Sequence, residues 1–298
     1  MKRAGGGRPR LGALQAAAGR QGADRGPALL ALGAALRSAG RHGEALEALQ
    51  EARTVLGSGR LVRKVASCDR LLGLTLHDLG RPEDAIDRLQ AACRTRADAG
   101  PIAALAACEA DLARVLRSLG RPEEALDHLR RAVGGFREAG KEVEVAVITH
   151  NAGVVLYGLS RLEHSLEALQ AARTGLQAAA RKLDLAACDH NLGLVLHDLG
   201  RPGEAAVGLR RALSTFHEAG RRREAASCAH ALATSLHAAG EHEDARTALE
   251  RARRWFVDLG DGVEVEACDH ALGLLRRQLD GAGHVGRSVA RGTQPAPA

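Results

Sequence analysis

The chain has 298 residues, 45% of them hydrophobic but only 2% aromatic, with a formal net charge of +6 and a pI of about 9.3. It lacks the run of about 18 apolar residues that a membrane-spanning helix needs, and Met1-Lys2-Arg3 is followed by Gly and Arg rather than by the apolar stretch of a secretory signal, so a cytoplasmic protein is expected. With so few rings, a core must be built from Leu and small residues; the scarcity of Lys (Lys2, Lys64, Lys141, Lys182) against abundant Arg reads as a GC-rich, bacterial coding sequence.

In chain order, residues 1–10 are basic and Gly-rich and are expected to be disordered. The run Leu11-Gly12-Ala13-Leu14-Gln15-Ala16-Ala17-Ala18 echoes Glu167–Ala172, which predicts a capping helix over 11–20. From residue 24 the chain repeats. The stretch from Cys188 to Pro202 returns in close variants starting at Cys68, Cys108, Cys228 and Cys268, always 40 residues or a multiple of 40 apart. Self-similarity at such a period marks a stacked repeat, in which each unit is one supersecondary module whose apolar face is covered only by its neighbours. Six units are predicted over 24–263, each of two helices joined by a tight corner.

Residue types define that corner. Gly40, Gly80, Gly120, Gly200 and Gly240 stand where the first helix should end, at the left-handed position that favours Gly; Ser160 is the exception. Arg follows, and Pro82, Pro122 and Pro202 take a first-turn position where a missing N–H is harmless. Glu83, Asp84, Glu123, Glu124, Glu163 and Glu204 then complement the positive end of the second helix. So short a corner forces an antiparallel pair. In the first helix, Leu72, Leu112, Leu192, Leu232 and Leu272 are each followed by Gly or Ala, and Leu76, Leu116, Leu156, Leu196 and Leu236 complete a helical stripe. The second helix carries an Ala column (45, 85, 125, 205, 245), then Leu49, Leu89, Leu129, Leu169, Leu209 and Leu249, then Ala52, Ala92, Ala132, Ala172, Ala212 and Ala252. Five cysteines share one first-helix column with Ile148, which reads as apolar packing; equivalent points in stacked repeats lie too far apart for a disulfide, and Cys93, on a second helix, is also expected to be unpaired.

Leu-Gly, then Ala twelve residues after the Gly, Leu four later and Ala three later resembles the tetratricopeptide repeat, over about 24–279. The resemblance implies an all-α, right-handed superhelical solenoid of antiparallel helix pairs. The unit of 40 rather than about 34 residues resembles the longer-helix subclass of cell-polarity adaptors and bacterial signal-transduction regulators. The column where many such repeats carry an aromatic holds Asp69, Glu109, Thr149, Asp189, Ala229 and Asp269 instead, leaving the packing there open. Residues 264–279 are predicted as a capping helix and 280–298 as a disordered tail.

The resemblance also implies a concave surface lined by the first helices, on which the residues three and two before the Gly, and one and four after it, point inward. Carried onto this chain, one inward column holds Arg70, His150, His190, His230 and His270, and another His77, Arg117, Tyr157, His197 and His237. Asn151 and Asn191 fall where peptide-binding members hold a ligand's backbone amide. This implies a non-enzymatic scaffold that binds a protein or peptide segment with acidic side chains, in bacterial signalling or regulation; the seven His, if solvent-accessible, would charge between about pH 7.5 and 5.5 and tighten that binding. The plainer reading is one surface His copied by duplication. A metal array of His190, His230 and His270 is a third, with no carboxylate to join it. Cys-Asp-His at 188–190 and 268–270 has the residue types of a triad, but neighbours i, i+1 and i+2 on a helix diverge. No P-loop, dinucleotide fingerprint, paired catalytic carboxylates or nucleophile elbow occurs, so no enzyme, cofactor or small-molecule substrate is expected. Single-stranded RNA or DNA is the alternative partner, favoured by the high pI and disfavoured by one Trp, one Tyr and three Phe, because base stacking needs rings.

Overall fold

The computed structural model describes residues 11–57 and 61–291, with side chains through 277. Residues 1–10 and 292–298, both expected to be disordered, lie outside the described residues. Among those described, every regular element is an α-helix, and the helices fall into two compact units that meet in sequence at Leu159 and Ser160. The first unit contains α1 (Leu11–Ala18), α2 (Arg25–Ser38), α3 (His42–Gly57), α4 (Val62–Asp78), α5 (Pro82–Ala99), α6 (Ile102–Ser118), α7 (Pro122–Glu138) and α8 (Glu142–Gly158). The second contains α9 (Leu162–Ala178), α10 (Lys182–Asp198), α11 (Pro202–Glu218), α12 (Arg222–Ala238), α13 (His242–Leu259) and α14 (Gly262–Arg291).

Successive helices pack on one another within each unit, beginning with α1 on α2. The predicted fourth repeat is divided, with α8 closing the first unit and α9 opening the second. α14 continues to Arg291, twelve residues past the boundary at 279, so the expected tail is helical over its first part.

At the predicted corners, Gly80, Gly120 and Gly200 are left-handed at φ 74°, 71° and 72°. The next N–H reaches back to the first helix: Arg81 N donates to Leu76 O at 2.9 Å and Arg201 N to Leu196 O at 2.8 Å, the Schellman pattern. The Arg of the corner and the acid of the following turn, read separately from sequence, are one device. Arg81 Nε donates to Asp84, and Arg121 and Arg201 to Glu124 and Glu204, at 2.6–2.7 Å. These pairs are exposed and screened by water, so they fix the corner's geometry more than they stabilise the fold. Ser160 takes the same left-handed backbone at the first corner, at φ 56°; a second corner, from second helix to next first helix, uses Gly140, Gly220 and Gly260 at φ 65–70° and Ala180 at φ 53°.

The apolar columns form the core. Ala52, Ala92, Ala132, Ala172, Ala212 and Ala252 are all 0% exposed, and Leu49, Leu89, Leu169 and Leu209 likewise. Each fully buried Leu contributes about 1.5–3 kcal/mol. A Cβ on Gly73 or Gly193 would stand 2.7 or 2.5 Å from Cγ of Leu89 or Leu209, so the first helix approaches the second more closely there than a methyl group allows.

The acidic column, left open by the sequence, is an interlock between repeats. Asp69 and Asp189 are almost wholly buried. Each is bound by an Arg sixteen residues earlier, on the preceding second helix: Arg53 Nε donates to Asp69 at 2.5 Å and Arg173 Nε to Asp189 at 2.6 Å, and Arg253 pairs with Asp269 in the same register. Arg88 and Arg211, from the following second helix, approach Asp69 and Asp189 at 3.6 and 3.2 Å. Where the earlier position is apolar the later one is neutral, as in Leu213 with Ala229, both buried in the core of the second unit. Glu109, sixteen after Cys93, is held instead by His128 and Arg131 of the following helix.

A buried carboxylate that loses a partner is poorly solvated, whereas an apolar pair of matching shape stands in for an ion pair with little loss. Arg173 is about a third exposed, which screens the pair. Arg173→Leu is therefore expected to lower stability by about 1–2 kcal/mol, and the double variant Arg173→Leu, Asp189→Ala, which writes the Leu213–Ala229 pair into this junction, to recover most of that loss. Urea unfolding of the single and double variants measures the difference; simple additivity of the two losses would contradict the interlock.

Candidate functional site

The first-helix positions assigned to a ligand surface are mostly engaged within the protein, and their partners lie about one repeat further along. In the first unit, Arg70 Nε donates to Asp111 Oδ2 at 2.5 Å. His77 Nε2 lies 2.9 Å from Ser118 Oγ. Because the Ser118 hydroxyl already donates to Val115 O at 2.7 Å, the imidazole is the donor, and its buried Nδ1 has no hydrogen-bond partner. In the second unit, His190 Nδ1 stands 3.1 Å from Cys228 Sγ. Burial pushes the Cys228 thiol up to about 12 and pushes His190 down, so a protonated thiol donates to a neutral ring. His230 Nδ1 is 3.6 Å from Glu264 Oε2. The rings of His237 and His242 are 5.0 Å apart with their Nδ1 atoms at 3.1 Å, so one donates and the other accepts.

The seven His therefore do not form one open, equivalent set. Burial lowers His190, so its ring stays neutral further into acid than an open imidazole does. His150 and Tyr157 are half-buried on α8, Asn191 and His197 half-buried on α10, and His270 exposed on α14. Among the described residues no three His, Cys, Asp or Glu side chains converge to hold a metal ion.

One cleft of the first unit, of about 210 Å³, lies between α6 and α8. Its apolar surface comes from Ala110, Ala113, Leu129, Ile148, Val154 and Val155, and its polar groups are Asp111, Arg114, Arg117 and Asn151. Asp111 is taken by Arg70. Arg114 and Arg117 have no carboxylate partner among the described residues, and Arg117 and Asn151 are exposed. The cleft thus offers two guanidinium groups and a carboxamide beside an apolar wall, which suits an extended segment with an anionic side chain. Arg114 was absent from the sequence-predicted set, although it stands one after the Gly/Ala position, in an inward column whose other members (Leu74, Val154, Leu194, Thr234, Leu274) carry no charge. That single charge in an otherwise uncharged column was the available signal.

Other clefts are lined by internally paired side chains, including one between α3 and α5 where Arg53 and Arg88 approach Asp69. Between α2 and α4, Arg96 Nη2 donates to Ser67 Oγ at 2.7 Å, and between α9 and α11, Arg173 and Arg211 close on Asp189. No helix among the described residues is long and apolar enough to cross a membrane.

Comparison with known proteins agrees with this architecture. Sequence models of the tetratricopeptide repeat match residues 65–138 and 184–255, and a second such model matches 12–97. No curated protein sequence matches the chain. Among solved structures, BtubC (BKLC) from P. vanneervenii is 20% identical over 76% of this chain and 91% of its own, with a TM-score of 0.64. A Rap protein complexed with competence and sporulation factor is 13% identical, covering 91% of this chain and 80% of its own at a TM-score of 0.60. A signal transduction ATPase from Pyrococcus horikoshii with a tetratricopeptide repeat sensor is 15% identical over 90% of this chain and 44% of its own, at 0.68. Matches at this level of identity describe the fold, and the sequence models, with the repeating Leu/Ala columns and left-handed corners, describe the family. The chain belongs to the tetratricopeptide repeat family.

Proposed function

We propose that the chain is a non-enzymatic protein-interaction scaffold, and that the α6–α8 cleft of the first unit receives an extended peptide segment carrying an acidic side chain. The observation that carries this reading is the pair Arg114 and Arg117, unmatched by any carboxylate among the described residues, beside Asn151 and an apolar wall. In such a cleft the guanidinium groups take a carboxylate as a fork, the carboxamide holds backbone, and Val154 and Ile148 accept an apolar side chain. The family membership and the Rap neighbour solved with competence and sporulation factor support a binding role. A cytoplasmic setting and a part in bacterial signalling or regulation belong to the same reading. The first-helix face of the second unit, with Asn191, His197 and His270, is a further contact surface under it.

The test is affinity capture from the native cell with wild-type protein and with Arg117→Ala, Asn151→Ala. A charge-assisted hydrogen bond is worth about 1.5–3 kcal/mol, so the double variant is expected to weaken a protein partner by tenfold or more. Arg130→Ala, on an exposed face of α7, is expected to leave capture unchanged. A partner held equally by all three proteins would move the site elsewhere, and an eluate of nucleic acid with steep salt dependence would replace the peptide reading.

Acid should act on the fold through His190. A free imidazole titrates near about 6.5, and burial holds the folded ring below that. As pH falls through 6.5 the unfolded chain gains a proton that the folded chain refuses, so stability present above that pH is lost on acidification. Wild-type protein is expected to show a falling urea midpoint from about pH 7.5 to 5.5, with a shallower fall in His190→Gln. Equal slopes in the two proteins would show that His190 is open to water.

A further inference from the structure

Four of the five column cysteines sit in apolar surroundings that suppress ionisation: burial pushes Cys68, Cys188 and Cys228 up to about 12 and Cys268 up to about 11. Cys108 differs. Across the contact between α5 and α6 it shares a small buried cluster with Cys93, Ala92 and Leu105. The repeat register explains why this happens at one junction. The second-helix position of Cys93 is occupied in the other repeats by Arg53, Val133, Arg173, Leu213 and Arg253, so at the remaining junctions the cysteine column faces no second sulfur from this position.

The two sulfurs are also unlike. The hydrogen bond from Cys93, and then the nearby Arg70 and Arg96, draw Cys108 below the usual thiol range against the opposing effects of burial and Asp111. The same hydrogen bond, with burial and Glu109, pushes Cys93 up. One sulfur of the pair is the readier nucleophile and the other keeps its proton, a division of labour suited to thiol oxidation.

We propose that Cys93 and Cys108 are a peroxide-responsive dithiol that closes to a disulfide between α5 and α6. In the first step the Cys108 thiolate attacks one oxygen of hydrogen peroxide; the O–O bond breaks, Cys108 becomes a sulfenic acid, and the departing hydroxide takes a proton and leaves as water. In the second, the Cys93 sulfur attacks the Cys108 sulfur; the S–O bond breaks, the S–S bond forms, and the hydroxide leaves as water with the Cys93 proton. Two thiols lose two hydrogens and one peroxide is reduced to two waters. A thiol reductant reverses the change. The bond ties α6, which carries Asp111, Arg114 and Arg117, to the helix before it, and both sulfurs are buried, so a small oxidant is required.

The experiment uses the full chain under native conditions, treated with hydrogen peroxide, alkylated and digested without reduction. Mass spectrometry is expected to find one cross-linked peptide joining Cys93 to Cys108, lighter by two hydrogens, with the other four cysteines still alkylatable on unfolding. The melting temperature is expected to rise on oxidation and to return with dithiothreitol. Cys93→Ser and Cys93→Ala are both expected to abolish the cross-link, and Cys93→Ser, which keeps a hydrogen-bond donor beside Cys108, to leave Cys108 as a sulfenic acid trapped by dimedone. Retention of both free thiols after peroxide, cross-links scattered among the other cysteines, or dimedone labelling of Cys188 equal to that of Cys108 would each overturn the proposal.

Discussion

Close helix packing in this chain depends on fully buried alanines. Six second helices place Ala at the same position, from Ala52 to Ala252, and all six are 0% exposed. A larger side chain at so filled a position would have to push its neighbours apart. Leu supplies the apolar area around it, and first-helix Gly73 and Gly193 make room for Leu89 and Leu209. With aromatics at 2% of the chain, large rings cannot fill a wider gap, so close approach is the route by which this composition excludes water. The left-handed corners serve the same end, because a short connection holds the pair at the spacing the alanines permit.

Polar chemistry is layered on that apolar frame, and most of it joins one repeat to the next. Buried Asp69 and Asp189 are held by an Arg from the preceding second helix, and first-helix Arg70 and His77 tie to Asp111 and Ser118 about one repeat further on. Buried ion pairs add little net stability compared with apolar packing, but they penalise any register in which the carboxylate is left alone. They also decide where a ligand can bind. A side chain already satisfied by its neighbour has little to offer, whereas Arg114 and Arg117, which line the α6–α8 cleft beside Asn151, have no carboxylate partner among the described residues.

Much of the fold was legible because the repeat period turns each position into a column. Ala132 reads as buried from one sequence since five other copies agree with it, and the Gly-Arg-Pro corner states its own backbone. The second corner was missed where Ala180 takes left-handed backbone, since nothing in the residue type announces it. α14 runs past its expected end because residues 280–291 contain no helix-stopping Pro. The site was less legible than the fold. Its columns were read one at a time, whereas the interactions that engage His77, His190 and Asp189 join different columns of adjacent repeats. The pairing of Arg53 with Asp69, and its replacement by Leu213 with Ala229, was visible as a substitution pattern sixteen residues apart. Reading within a single helix could not find it.

The central claim, that small residues at the helix contact fix this architecture, is tested most directly by comparing Ala132→Phe with Arg130→Phe in urea unfolding. Both place a ring on α7, one at a fully buried position and one at a position whose side chain is 65% exposed. Overpacking a filled contact lowers stability by about 1–3 kcal/mol, so Ala132→Phe is expected to lose that much while Arg130→Phe stays within about 0.5 kcal/mol of wild type. Equal midpoints for the two variants would contradict the claim, because the alanine contact would then have room for a ring.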